Sequence, residues 1–136
     1  MPISIQDIYL QKQAVEGLSF VPKEAYNRLL ISRGYYASFL FACELFKPNT
    51  NHNLVLFNGD YGSHQKIYES LIRSNIPNLK YVGKILKKYH TLRKNADYKL
   101  NLHINEIKVM EANSHFKECK ERIEFFLKNG AADFIP

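Results

Sequence analysis

Between residues 90 and 98 the chain places His90, Arg93, Asp97 and Tyr98, side chains with more chemistry than a solvated helix face requires. Helical spacing sets His90, Arg93 and Asp97 on one ridge, with Tyr98 turned about 100° from Asp97. An imidazole titrates near neutrality and can move a proton, and a guanidinium stays cationic and grips phosphate. The ridge therefore suits either chemistry on a phosphodiester or an ionic seam between helices. Arg33 supplies the seam's expected partner. It sits in an otherwise apolar run, where a charge needs a carboxylate, and Asp97 is the candidate. That pairing would leave Arg93 and His90 toward open surface. His64, after a long connection, could likewise titrate near neutrality, and His103 lies just past the ridge.

The elements that must position these residues read as helices. Residues 4–17 carry Ile5, Ile8, Tyr9, Ala14 and Val15 at roughly helical spacing and end near Gly17. Pro22 suits a helix start, and the segment to residue 46 has no breaker except Gly34. From Tyr35 to Phe46 this second helix is apolar almost all round, the mark of a central helix, with Tyr35, Tyr36, Phe39 and Phe41 as core aromatics. Pro48 and NTNHN stop it. Residues 47–62, with Asn58, Gly59, Asp60 and Gly62, form the longest loop, of a kind that tends to be functional or mobile. Ser63 is the expected N-cap of a third helix to about Ser74. A fourth spans about Leu79 to Leu100, with Leu79, Val82, Ile85, Leu86, Tyr89, Leu92 and Ala96 as its apolar stripe. The fifth covers about Asn105 to Lys128, with Ile107, Met110, Ala112, Phe116, Ile123, Phe126 and Leu127 inward, and stops at Gly130. NLVLF is the only hint of strand periodicity. The fold class that follows is all-α, an antiparallel bundle.

At 136 residues one domain suffices. A hydrophobic fraction of 46%, with nine Tyr and nine Phe, is that of a folded chain. YYASFLFAC is too short to span a bilayer and no signal-like segment opens the chain, so a cytoplasmic protein without membrane contact is expected. Cys43 and Cys119 lack ligand spacing, which argues against a disulfide or a metal site. Nineteen Lys and Arg against thirteen Asp and Glu give a net charge of +6, clustered at Lys84, Lys87, Lys88 and at Arg93, Lys94. Such a surface attracts phosphate backbones or an acidic partner, and equally suits plain solubility.

Two segments carry a resemblance. SRGYYASFLFACELF at 32–46 and LRKNADYKL at 92–100, with Ser63-His64 between them, resemble the HEPN family of small α-helical proteins. In that family an Arg precedes Tyr-Tyr-Ala and an aromatic, a Ser-His pair follows the loop, and a later helix reads Leu-Arg, two variable residues, Ala-Asp-Tyr. The order and spacing fit residues 22–127. The resemblance implies an up-and-down bundle of four long helices plus one short helix, commonly a homodimer, in a family of metal-independent ribonucleases and toxins often encoded with a nucleotidyltransferase-like partner. A two-fold contact between fourth helices would bring two Arg93 side chains into one cleft. Cleaving members carry an Arg and then a His with four to six residues between them. Arg93 matches the Arg, but Tyr98, Lys99 and Leu100 stand where the His belongs.

The expectation is a HEPN-like toxin-type or defence-associated protein that takes RNA or nucleotide phosphate and needs no cofactor. Arg93 would serve phosphate, His90 or His64 proton transfer, and Tyr98, Lys94, Lys87 and Lys88 substrate or partner contact. Arg33 and Asp97 would be a structural ion pair. The rival expectation is a noncatalytic helical adaptor for a nucleotidyltransferase-like or other protein.

Overall fold

A computed structural model describes residues 4–16, 22–47, 54–57, 59 and 62–135. These are all-α: α1 (Ile5–Glu16), α2 (Lys23–Cys43) continued by a 3₁₀ turn (Glu44–Phe46), α3 (Ser63–Ile72), α4 (Pro77–Tyr98) and α5 (Glu106–Asn129). Gly17, the expected stop of the first helix, lies outside the described residues, as do Pro48, NTNHN, Asn58 and Asp60. Leu54–Phe57, the described part of the strand-like segment, contains no strand.

Local chemistry sets the ends. Ser4 and Asp7 cap α1 reciprocally, Asp7 N–H donating to Ser4 Oγ at 3.1 Å and Ser4 N–H to the Asp7 carboxylate at 3.0 Å. α4 opens on Pro77, two residues before the expected start, because proline at the first position has no N–H to leave unpaired. Asn105 caps α5 by accepting from Lys108 N–H at 3.2 Å. Gly130 ends it at φ 61°, a left-handed turn that glycine adopts without strain. Ser63 is not the expected cap: Gly62 holds that position and Ser63 is already helical.

α2 packs against α1, α4 and α5, and α4 against α3 and α5, so α2 and α4 carry the core between them. Ile31, Tyr35, Leu45, Leu71, Leu79, Val82, Leu86, Tyr89, Cys119 and Ile123 are fully enclosed there. Two glycines allow the helices to close. A Cβ on Gly83 would lie 2.7 Å from Ile72 N and 2.8 Å from Tyr68 O, so the backbone of α3 sits directly on α4. A Cβ on Gly34 would lie 2.2 Å from the Tyr89 hydroxyl, so α2 admits that side chain at a point where any larger residue would force a shift. Residues 23–46 are long and apolar enough to cross a membrane, yet many of their apolar side chains are core here.

The expected inward face of α5 needs correction. Ala112, Cys119, Ile123 and Phe126 are buried, whereas Ile107 (69%), Met110 (70%) and Leu127 (40%) are exposed. At 100° per residue Ile107 and Met110 point away from the Ala112–Cys119–Ile123 line, a phase that apolar content alone does not reveal. Tyr36 likewise reaches the surface, at 36% exposure.

Candidate functional site

Three helices converge on Tyr35. Its ring, in α2, stacks on His90 of α4 at 5.2 Å and 22°, and meets Tyr89 edge-on at 5.5 Å. From α3, His64 brings Nδ1 to 2.8 Å from the Tyr35 hydroxyl and lays its ring over Phe39 at 4.1 Å. His64 and His90 are themselves stacked, nearly parallel at 8° with centroids 5.0 Å apart. The first turn of α3 and the middle of α4 can meet this closely because Gly83 lets the two helices touch. Sequence spacing could nominate both histidines but not their contact, which joins residues 26 positions apart on different helices. Tyr35, read as a core aromatic, is core by burial and also the group that links the pair.

The electrostatics of the pair follow from this enclosure. Burial pushes the His90 imidazole down to about 4, with the neighbouring His64, Lys94 and Arg93 acting in the same direction. Burial, then the Arg93 charge, also lowers His64. Burial raises the Tyr35 phenol, and Arg93 opposes that rise. At neutral pH the cluster therefore holds two uncharged imidazoles and an uncharged phenol. Such imidazoles are in the form that can accept a proton but are weak bases, until an anion beside them raises their affinity for protons.

Arg93 stands one turn further along α4. Its Nε lies 2.7 Å from Asp97 Oδ2, each side chain about one-quarter exposed, and Ser32 Oγ donates to the same oxygen at 3.3 Å. This overturns the Arg33–Asp97 pair expected from sequence. No described carboxylate pairs with Arg33, and the α2 residue that faces Asp97 is Ser32. One residue along α2 is a rotation of 100°, so Arg33 is swung off that line. Asp97 thus orients Arg93 rather than neutralising a second helix. Arg93 also lies 5.4 Å from the centre of the exposed Tyr98 ring. Lys87, Lys88 and Lys94 lie on the solvent side of α4, Lys87 at 3.5 Å from Glu69.

The arginine that locks α2 to α4 is Arg28, which sequence reading passed over. Its guanidinium donates to the carbonyls of Asn95 (3.3 Å), Ala96 (2.9 Å) and Lys99 (3.2 Å), to Leu102 O, and to Glu24 at 3.0 Å. Carbonyls cluster at the end of α4, where Asn95 O and Lys99 O also accept from Lys99 N–H and Leu102 N–H, and a cation there meets the negative end of the helix dipole. Glu24 in turn accepts Ile104 N–H, and His103 lies at its other oxygen, away from the histidine pair. The only available signal was an arginine one helical turn past Glu24, which does not name its acceptors.

Among the described residues no group of three His, Cys, Asp or Glu is arranged to hold a metal ion. Two surface clefts, of about 430 and 560 Å³, lie elsewhere: one is lined by Leu54, Phe57, Arg73 and Ile76, the other by Tyr9, Lys12, Phe116 and Lys120. His64, His90 and Arg93 line neither cleft. Comparison of the chain with family models, curated proteins and solved structures returned no match.

Proposed function

We propose that this is a HEPN-like, toxin-type or defence-associated cytoplasmic protein that binds RNA or nucleotide phosphate at the rim of Arg93, His90 and His64. The reading takes the five helices as an antiparallel up-and-down bundle of four long helices and one short, acting as a homodimer. A nucleotidyltransferase-like protein is the partner it would meet. The observation that carries the reading is the gathering of His64, His90 and Tyr35 from three helices beside a guanidinium whose Asp97 contact is made through Nε. The terminal nitrogens of that guanidinium have a fork geometry that matches phosphate oxygens.

Cleavage at this rim would be metal-independent. A neutral imidazole takes the 2′-hydroxyl proton, the freed oxygen attacks phosphorus, and Arg93 stabilises the charge on the non-bridging oxygens. The leaving 5′-oxygen then needs a proton, and only an imidazole re-protonated beside the bound phosphate can return it. The direct experiment is to incubate purified protein with total RNA under chelator. Cleavage that disappears in Arg93→Ala supports the reading; intact RNA and no RNA retention by clean protein at high concentration refute it.

The adaptor reading draws on a different observation. Tyr98, Leu100, Leu102, Ile107 and Met110 are exposed apolar residues around the α4–α5 connection, a surface of the kind partners cover. It predicts binding to a nucleotidyltransferase-like protein with no RNA retention, an outcome that co-purification of the two separates from the first reading.

A further inference from the structure

The surfaces of α4 and α5 differ in a way that net charge conceals. α5 carries five basic and five acidic residues, and many of them face each other one turn apart: Lys108–Glu111 at 3.8 Å, Lys117–Glu121 at 4.0 Å and Lys120–Glu124 at 3.2 Å. That helix cancels its own charge. α4 has Lys80, Lys84, Lys87, Lys88, Lys94 and Arg93 against a single carboxylate, Asp97, a surplus equal to five of the chain's six net positive charges. Asp97 is taken by Arg93, and of the exposed lysines only Lys87 has a carboxylate partner, Glu69, among the described residues. Like charges along one helix face repel one another and stabilise nothing within the fold.

We propose that the solvent face of α4 is a track for the sugar–phosphate backbone of single-stranded RNA, deepening the phosphate-binding reading above and resting on it. From Lys80 to Lys94 the rise is about 21 Å along a straight helix, with Lys80, Lys87 and Lys94 at steps of seven residues. Counting 100° per residue, Lys94, Lys87 and Lys80 fall within about a quarter-turn of His90, so a strand laid along them passes the histidine pair. At the far end Tyr98 is 68% exposed, with Arg93 against its ring. A row of cations closed by an exposed aromatic is the pairing that holds single strands, the lysines on phosphates and the ring under an unpaired base. A duplex keeps its bases stacked inside and could use only the lysines.

The test is fluorescence anisotropy with a labelled oligouridylate, a duplex RNA of equal length and polyglutamate as competitor, over a salt series. The proteins are wild type, Arg93→Ala, Tyr98→Ala and the triple variant Lys80→Gln/Lys87→Gln/Lys94→Gln, with circular dichroism as the check on folding. In the triple variant the slope of log K against log salt should become shallower by about 2, and affinity should fall about tenfold. Tyr98→Ala should weaken the single strand about tenfold and leave the duplex unchanged. An unchanged slope in the triple variant overturns the track. So does tighter binding of the duplex, or displacement of RNA by polyglutamate at equal charge, which would mark an acidic protein surface as the partner. Wild type that retains no RNA refutes the phosphate-binding reading itself, whereas RNA binding lost in Arg93→Ala but untouched in the lysine variant refutes only the track.

Discussion

Replacing Gly34 by alanine probes the contact on which the α2–α4 arrangement depends. The new methyl carbon would lie 2.2 Å from the Tyr89 hydroxyl oxygen and 3.5 Å from Cζ of the same ring. The first distance is about 1 Å short of ordinary contact, and the second is already ordinary. Tyr89 cannot yield freely, because it is fully buried, edge-on to Tyr35 at 5.5 Å and beside His115 at 5.6 Å. Overpacking a core costs about 1–3 kcal/mol, while alanine in place of glycine within a helix returns about 1 kcal/mol. Gly34→Ala should therefore lower stability by up to about 2 kcal/mol, up to about 8 °C in Tm for a chain of this length. Tyr89→Phe removes the offending oxygen. In that background the same alanine meets the ring carbon and, at 3.4 Å, Cε of Lys12, and should raise stability by about 1 kcal/mol through helix propensity. Urea denaturation of the four proteins measures the coupling directly, with about 1–3 kcal/mol expected, the overpacking cost itself. An equal effect of Gly34→Ala in both backgrounds would refute the packing described here.

Asp97→Ala should cost only about 1 kcal/mol, because the Arg93 pair is local to one helix and partly exposed; a melting temperature that falls by more than about 10 °C would show that Asp97 anchors a second helix. Arg28→Ala should be the more damaging change, by about 2–3 kcal/mol, since several carbonyls at the end of α4 and Glu24 lose a charged donor; Arg33→Ala, measured beside it, should be nearly silent. Acid should unfold the protein partly through the histidine pair. His90 titrates at about 4 when folded and near 6.5 when unfolded, so its contribution is complete above pH 6.5 and is lost as pH falls toward 4. Discounted for its partial exposure, this amounts to about 1–2 kcal/mol, and His90→Gln should flatten the stability curve over that window; a curve of unchanged slope would show that His90 is not held neutral.

How much was legible in advance depends on whether a relationship lies within one helix or between two. Breakers and apolar spacing marked each helix to within a few residues. The ridge of His90, Arg93 and Asp97 was legible too, and the Arg93–Asp97 contact is a consequence of its four-residue step, although the sequence reading assigned Asp97 elsewhere. Relationships within a helix follow from 100° per residue and need no knowledge of the fold. Which residue of α2 faces α4 is another matter. A rotation of one residue separates Ser32, which reaches Asp97, from Arg33, which does not, and Arg28 rather than Arg33 takes the end of α4. That rotation is set where Tyr89 enters over Gly34 and where α3 closes on Gly83. The same packing stacks His64 on His90 and turns Ile107 and Met110 outward, because side chains from separate helices meet only after the whole core has chosen a single way to fill its volume.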